Sequence, residues 1–524
     1  MAQGETFKPG EPYTHRLSKI LEEYPDGSQI IREILQNSDD AKSSSQVFIL
    51  DRNSYKSKSL LKPVKKSDKT NLKLDRYQGP ALLAKNDTIF EERDFDSLKK
   101  LANSEKYDQF DKIGVMGVGF NSVYHICDTD NFLILDPHEN YFDGGIKIDF
   151  IKNNTAAHHS DQFAPFRIPC DQRFNGSLFR YPLRTTQDAL ESEISKKAYS
   201  PDQILEIFKT FYENESVNCL LFLKYIESIK FYELGENETE PKLLYSIEII
   251  NPEQIRAERR KIAESIVPMM DSLTKKKNSK ISILETMFIA EFRRKRGDDN
   301  PQVDQWIIFA WLDDLNAAEK HFQNKFKRSI SSYKFIPNVG IALPLNDREA
   351  IGRLFCFLPL PIVTPFRSSV HGYFAVSTNR RTLWTAADSE DLAYHSSARL
   401  KVSWNIYLFN TVLPKAWARF LTRLPIEVPK IKKSEFYDFW PIVQKSISGS
   451  SINFFERLLL STIECLTIGD EVFCGPSVSY ALGNVDGISQ RRFTSHETEF
   501  HLLSIDNGYL PDELAIDEIS KIVG

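Results

Sequence analysis

The 524-residue chain is 41% hydrophobic and 27% charged with a net charge of −5, a composition suited to roughly two to four globular domains. Its mild acidity gives no general reason to bind nucleic acid or an anionic membrane. Six scattered cysteines without a C-x-x-C pair argue against a zinc site or a disulfide framework, while the polar residues 1–12 and the lack of a long apolar run argue against a signal peptide or a membrane span, so a soluble cytoplasmic protein is expected.

In chain order, residues 28–42 predict a helix, with Ser28 as its N-cap and Ile30, Ile31, Ile34 and Leu35 at helical spacing. A strand is expected at 47–50. Residues 56–73, rich in Lys and Ser and broken by Pro63, read as a mobile surface insertion. Apolar segments at 81–84, 132–135 and 146–150 alternate with helix-like stretches such as 95–103, and 177–183 reads as a further strand. The pattern then changes, which places a first boundary near residue 190.

Beyond it, a helix is expected at 203–212, strands near 220–225 and 229–234, a charged helix at 252–263, and strands at 306–311 and 340–345. The basic runs 275–277 and 293–296 read as solvated loops or strand ends rather than phosphate sites. The expected fold is α+β: an α/β sandwich of a mixed sheet covered by helices on one face (residues 1–190), a middle α/β domain (191–425) and a mostly helical region (426–524).

Three motifs carry chemistry. In R-E-I-L-Q-N-S-D-D-A, Glu33, Asn37 and Asp40 follow at spacings of four and three residues and share one stripe of a helix. Such a stripe can offer a carboxylate to polarise water and an amide oxygen to complete a magnesium shell beside phosphates. In Q-G-P-A-L-L-A-K-N-D-T-I-F, Asp87 at a strand end can accept a hydrogen bond from the exocyclic amine of adenine. In K-I-G-V-M-G-V-G-F-N-S-V-Y, Gly114, Gly117 and Gly119 remove side chains where backbone amides would approach phosphate oxygens, ahead of a helix starting after Phe120. No Gly-Lys-Ser/Thr follows, so this is no Walker loop, and no acidic residue takes the Rossmann position.

The order E-x-x-x-N-x-x-D-A, then an aspartate, then G-x-x-G-x-G resembles the Bergerat (GHKL) ATP-binding fold of the ninety-kilodalton heat-shock chaperones, gyrase-type topoisomerases, MutL mismatch-repair proteins and sensor histidine kinases. The phrasing F-R-Y-P-L-R, L-F-C-F-L-P-L-P and G-Y-F-A-V-S-T-N-R-R-T-L-W is similar to the sacsin family of chaperone-like proteins, over roughly residues 12–385. The resemblance implies ATP and Mg2+ as cofactors, with Glu33 orienting the attacking water, Asn37 binding the metal and Asp87 anchoring adenine. It places Asp40 and Ala41 beside the adenine pocket, Gly114, Gly117, Gly119 and Phe120 in a phosphate-facing lid hinge, and Ser177 where relatives carry a threonine that bonds the aspartate or its water. Arg380 or Arg381 is implied as a γ-phosphate sensor, the two alternating sides if the preceding strand continues.

The motif D-T-I-F lacks the usual D-x-G-x-G glycines, which implies a reshaped adenine loop and low affinity. The function implied is a chaperone or co-chaperone-like module with slow ATP hydrolysis driving lid and domain closure. Unfolded client proteins, other chaperones and nucleotide-dependent self-association are the expected partners. A non-hydrolysing scaffold stabilised by nucleotide is the alternative. A DNA-acting ATPase is disfavoured by the acidic balance, and a histidine kinase by the lack of a dimerising histidine helix before Glu33.

Overall fold

The computed structural model describes residues 13–23, 26–55, 78–88, 119–128, 133–135, 140–143, 146–149, 164–166, 176–274, 283–377, 380–385, 397–428, 439–440, 458, 461–462, 488–495 and 498–505. The expected insertion at 56–73 and helix at 95–103 lie outside them. The fold is α+β, and it divides into two compact units, residues 1–252 with 292–303 and residues 253–291 with 304–524.

The first unit opens with α1 (Tyr13–Glu23), α2 (Gln29–Asp40), β1 (Ser45–Asp51) and β2 (Ala81–Asn86), followed by a 3₁₀ helix at Gly119–His125. Strands β3 (Leu133–Leu135), β4 (Asn140–Asp143), β5 (Ile146–Asp149) and β6 (Ser177–Pro182) come next, then α3 (Thr186–Glu191) and α4 (Pro201–Asn214), and finally β7 (Ser228–Leu234) and β8 (Lys242–Ile249). Within this unit the sheet runs β8-β7-β1-β2-β6-β3-β4-β5. It is mixed, because β1 pairs in parallel with β7 and antiparallel with β2.

Local chemistry accounts for these elements. Helix α4 starts on a capping box, Ser200 with Gln203, and carries Pro201 in its first turn. Its Phe208 and Phe211 reach the sheet, where Phe231 of β7 lies 4.9 and 5.6 Å from their rings and 5.2 Å from Phe48 of β1. All four rings are fully buried, each contributing roughly 2–3 kcal/mol on burial. The unit therefore continues past the boundary expected near residue 190, since β7 is a direct neighbour of β1.

The second unit contains α5 (Pro252–Thr274), whose first residue belongs to the first unit, and the long hairpin β9 (Leu284–Arg296) and β10 (Gln302–Leu312), whose distal part 292–303 also belongs there. The basic run 293–296 forms the end of β9. Then follow α6 (Leu315–Phe326), β11 (Asn338–Pro344), β12 (Arg353–Cys356), β13 (Leu358–Val363), β14 (Ser369–Gly372), α7 (Ser397–Tyr407) and α8 (Leu413–Glu427). A π-helical turn at Leu408–Val412 joins α7 to α8. The strands run β10-β11-β14-β12-β13, and Trp404 of α7 stacks on Phe335 at 4.7 Å while donating to the Tyr373 carbonyl at 2.7 Å.

Two expectations are corrected. Residues 220–225 form no strand: Val217–Leu220 is a 3₁₀ turn, and the amides that a ladder would use at 224–226 donate instead to a buried carboxylate, Asp39. Ser28 precedes α2 but its hydroxyl makes no cap bond, donating to Glu215 at 2.8 Å. After residue 425 the described residues include an antiparallel pair, β15 (Ile488–Ser495) with β16 (Thr498–Ile505). Among the described residues, no helix is long and apolar enough to cross a membrane.

Candidate functional site

The C-terminus of α2, the end of β2 and the start of β6 meet on one rung of the sheet, where Gln46 pairs with Asn86 and Asn86 with Ser177. Ser38 of α2 ties the helix to that rung, donating to Gln46 Oε1 at 2.6 Å and accepting from Asn86 Nδ2 at 3.1 Å. Asp87 follows directly, and Ser177 Oγ donates to the carbonyl of Thr88 at 2.7 Å. Ser177 thus meets the backbone of Thr88, the residue after Asp87, rather than the Asp87 carboxylate.

Helix α2 ends in a Schellman turn: Ser43 N–H donates to the Ser38 carbonyl at 3.0 Å and Lys42 N–H to Asp39 at 2.9 Å, with Lys42 left-handed at φ +66°. This turn aims the run Ser43-Ser44-Ser45 at Asp87. Oδ1 of Asp87 accepts from Ser43 Oγ, from Ser44 N–H at 2.9 Å and from Ser45 N–H at 3.3 Å, and Oδ2 accepts from Ser44 Oγ. Partial burial works to raise the Asp87 pKa, but the two hydroxyls and the amides outweigh it and hold the group below its ordinary 3.8. At neutral pH Asp87 is an exposed, ionised, acceptor-only group.

On α2 itself, Glu33 is 3% exposed and accepts from Gln29 Nε2 at 2.8 Å. One turn on, Asn37 is half-exposed, whereas Asp40 is buried with its Oδ1 3.9 Å from Lys224 Nζ; Ala41 caps the helix C-terminus, its N–H bonded to the Asn37 carbonyl. Asp39, fully buried, accepts from the amides of Tyr225 at 2.7 Å, Ile226 at 3.1 Å and Lys224 at 3.2 Å. Burial raises its pKa, opposed by the Lys224 charge and the three amides.

Gly114 and Gly117 lie outside the described residues. Gly119 opens the 3₁₀ helix that contains Phe120 and runs to His125, and that helix contacts both α1 and α2. Its C-terminal carbonyls are gathered by Arg184, 1% exposed, which donates to Tyr124 at 2.6 Å, His125 at 2.8 Å and Cys127 at 2.7 Å, and also to Lys197 at 2.9 Å.

Arg380 and Arg381 belong to the second unit. The expectation that they alternate along a continuing strand is corrected: β14 stops at Gly372, and a tight turn, closed by a Val376–Leu383 bridge and by Ser377 N–H donating to the Thr382 carbonyl at 2.9 Å, holds Arg380 left-handed at φ +55°.

Residues 10–246 match the family model of the Sacsin domain. Sacsin from Homo sapiens is 28% identical over 476 residues, an alignment covering 83% of this chain and 10% of that protein, so the chain spans about a tenth of its relative's length. The matched residues contain the whole rung of Gln46, Asn86 and Ser177 and the α2 stripe. Sequence reasoning missed Ser43, Ser44, Asp39 and Arg184 as site-forming residues. A triple-serine run just past a helix end and an arginine closing the apolar strand F-R-Y-P-L-R were the available signals.

Proposed function

We propose that the Sacsin domain binds ATP with Mg2+ and that the chain is a chaperone-like, sacsin-type module with slow ATP turnover. The reading is supported above all by the convergence of α2, Asp87 and Ser177 on one rung, with Asp87 ionised and accepting a single hydrogen bond on Oδ2. A carboxylate oxygen has two lone pairs, so Oδ2 retains capacity for an amine such as that of adenine. The half-exposed Asn37 supplies a hard oxygen suited to Mg2+, whose remaining ligands would be phosphate and water. Clients and companion chaperones are proposed on the likeness to sacsin.

Calorimetry with ATP or ADP and Mg2+ tests the reading. Asp87→Asn should weaken binding at least ~10-fold, the loss of one charge-assisted hydrogen bond; unchanged affinity would remove Asp87 from the pocket. Glu33→Ala should keep nucleotide while turnover falls about 10²–10⁴-fold. The burial of Glu33 against Gln29 favours a second reading, a scaffold that binds nucleotide without hydrolysing it. Nucleotide binding with no phosphate release by the parent chain would select that reading.

A further inference from the structure

The turn that receives Asp87 is built independently of it. Its Schellman bonds run from backbone amides to the carbonyls of Ser38 and Asp39, while Ser43 Oγ, with one proton to give, lies within hydrogen-bond reach of both Asp87 Oδ1 and the Ser45 carbonyl. Removing one serine hydroxyl therefore leaves the backbone turn in place. The consequence falls on the carboxylate, whose terminal torsion is soft and nearly two-fold unless partners fix it.

Three donors share Oδ1 and a single donor meets Oδ2; each carboxylate oxygen has two lone pairs, so the open acceptor site is on Oδ2. Asp87 is exposed at the end of β2. We infer that Ser43 and Ser44 are positioning residues for Asp87: together they fix its carboxylate plane and leave one Oδ2 lone pair as the reader of an exocyclic amine. This inference rests on the nucleotide-binding reading above and assigns its base-recognising carboxylate two supporting residues. The ligand class is a purine bearing a 6-amino group, since an acceptor-only carboxylate repels a 6-oxo group at the same position.

The experiment titrates ADP with Mg2+ into the full chain by calorimetry between pH 3 and pH 8, comparing Ser43→Ala, Ser44→Ala and Ser44→Thr. A protonated Asp87 loses the acceptor, so affinity falls as pH drops through its pKa. In the parent chain that fall lies below the ordinary carboxylate value. Removing a hydroxyl removes an influence that lowers the pKa, so Ser44→Ala should bind roughly 10-fold more weakly and its acid fall should move to higher pH. Ser43→Ala should behave likewise, and Ser44→Thr, which keeps the hydroxyl, should restore both affinity and profile.

A purely structural role would lower affinity equally at every pH and would not single out the hydroxyl. Parent-like affinity and pH profile in both alanine variants, or a loss without a pH shift, overturns the inference while the nucleotide reading stands. An absence of ADP binding by the folded parent chain overturns that reading, and the inference falls with it.

Discussion

Arg184→Ala should destabilise the first unit by about 3–5 kcal/mol. The guanidinium is buried and satisfies four backbone carbonyls, those of Tyr124, His125, Cys127 and Lys197, with Asp128 Oδ1 3.3 Å from its Nε. Four charge-assisted bonds at ~1.5 kcal/mol each give about 6 kcal/mol. Release of the desolvation penalty of a buried cation, with water reaching some of the carbonyls, brings this down to the range found when one member of a buried polar network is deleted. For a unit of this size the loss corresponds to a melting shift of roughly 10 °C. Urea unfolding read by a probe in the first unit measures the loss, and hydrogen exchange across 119–128 localises it, because the carbonyls released close the 3₁₀ helix that Gly119 opens. Arg184→Lys should fall between, since one ammonium has three donors for four diverging acceptors. A loss under 1 kcal/mol for Arg184→Ala, or exchange at 119–128 matching the parent, would refute the clamp.

Asp39→Ala strands three buried amides, those of Lys224, Tyr225 and Ile226, and should cost ~3–5 kcal/mol with faster exchange at those positions; retained protection there would disprove the anchoring. Lys42→Gly should stabilise by up to about 1 kcal/mol, because glycine adopts φ +66° without the steric cost lysine bears, less a few tenths for the loss of the Lys42 ammonium 5.9 Å from the Tyr225 ring. A melting temperature lowered by the glycine would show that the lysine side chain, not the backbone, governs the turn.

Where a segment's partners are close in sequence, its structure was legible. Helical spacing located α2, the strand expected at 47–50 lies within β1, and the helix expected at 203–212 lies within α4. The failures share a different cause. The run L-L-F-L-K-Y at 220–225 has strand composition, but its backbone donors answer to Asp39, whose carboxylate lies far earlier in the chain and whose burial no local pattern reveals. Ser28 has the chemistry of an N-cap yet is drawn to Glu215, itself paired to Arg32 at 2.5 Å.

The candidate site divides along the same line. The α2 stripe is a local property, and spacing alone set Glu33, Asn37 and Asp40 on it; what spacing could not set is depth. Glu33 and Asp40 are buried, the first meeting Gln29 on the same helix and the second Lys224 on a distant turn, while Asn37 is partly exposed. Asp87 shows the stronger case. Its identity as a polar residue after an apolar strand was visible, but the direction of its lone pairs is set by Ser43 and Ser44, which β1 and β2 bring alongside through the pairing of Gln46 with Asn86. A one-residue slip in that register would invert the facing of β2 and carry Asp87 away from the serines, so the chemistry of this carboxylate is a consequence of sheet register rather than of the motif in which it stands.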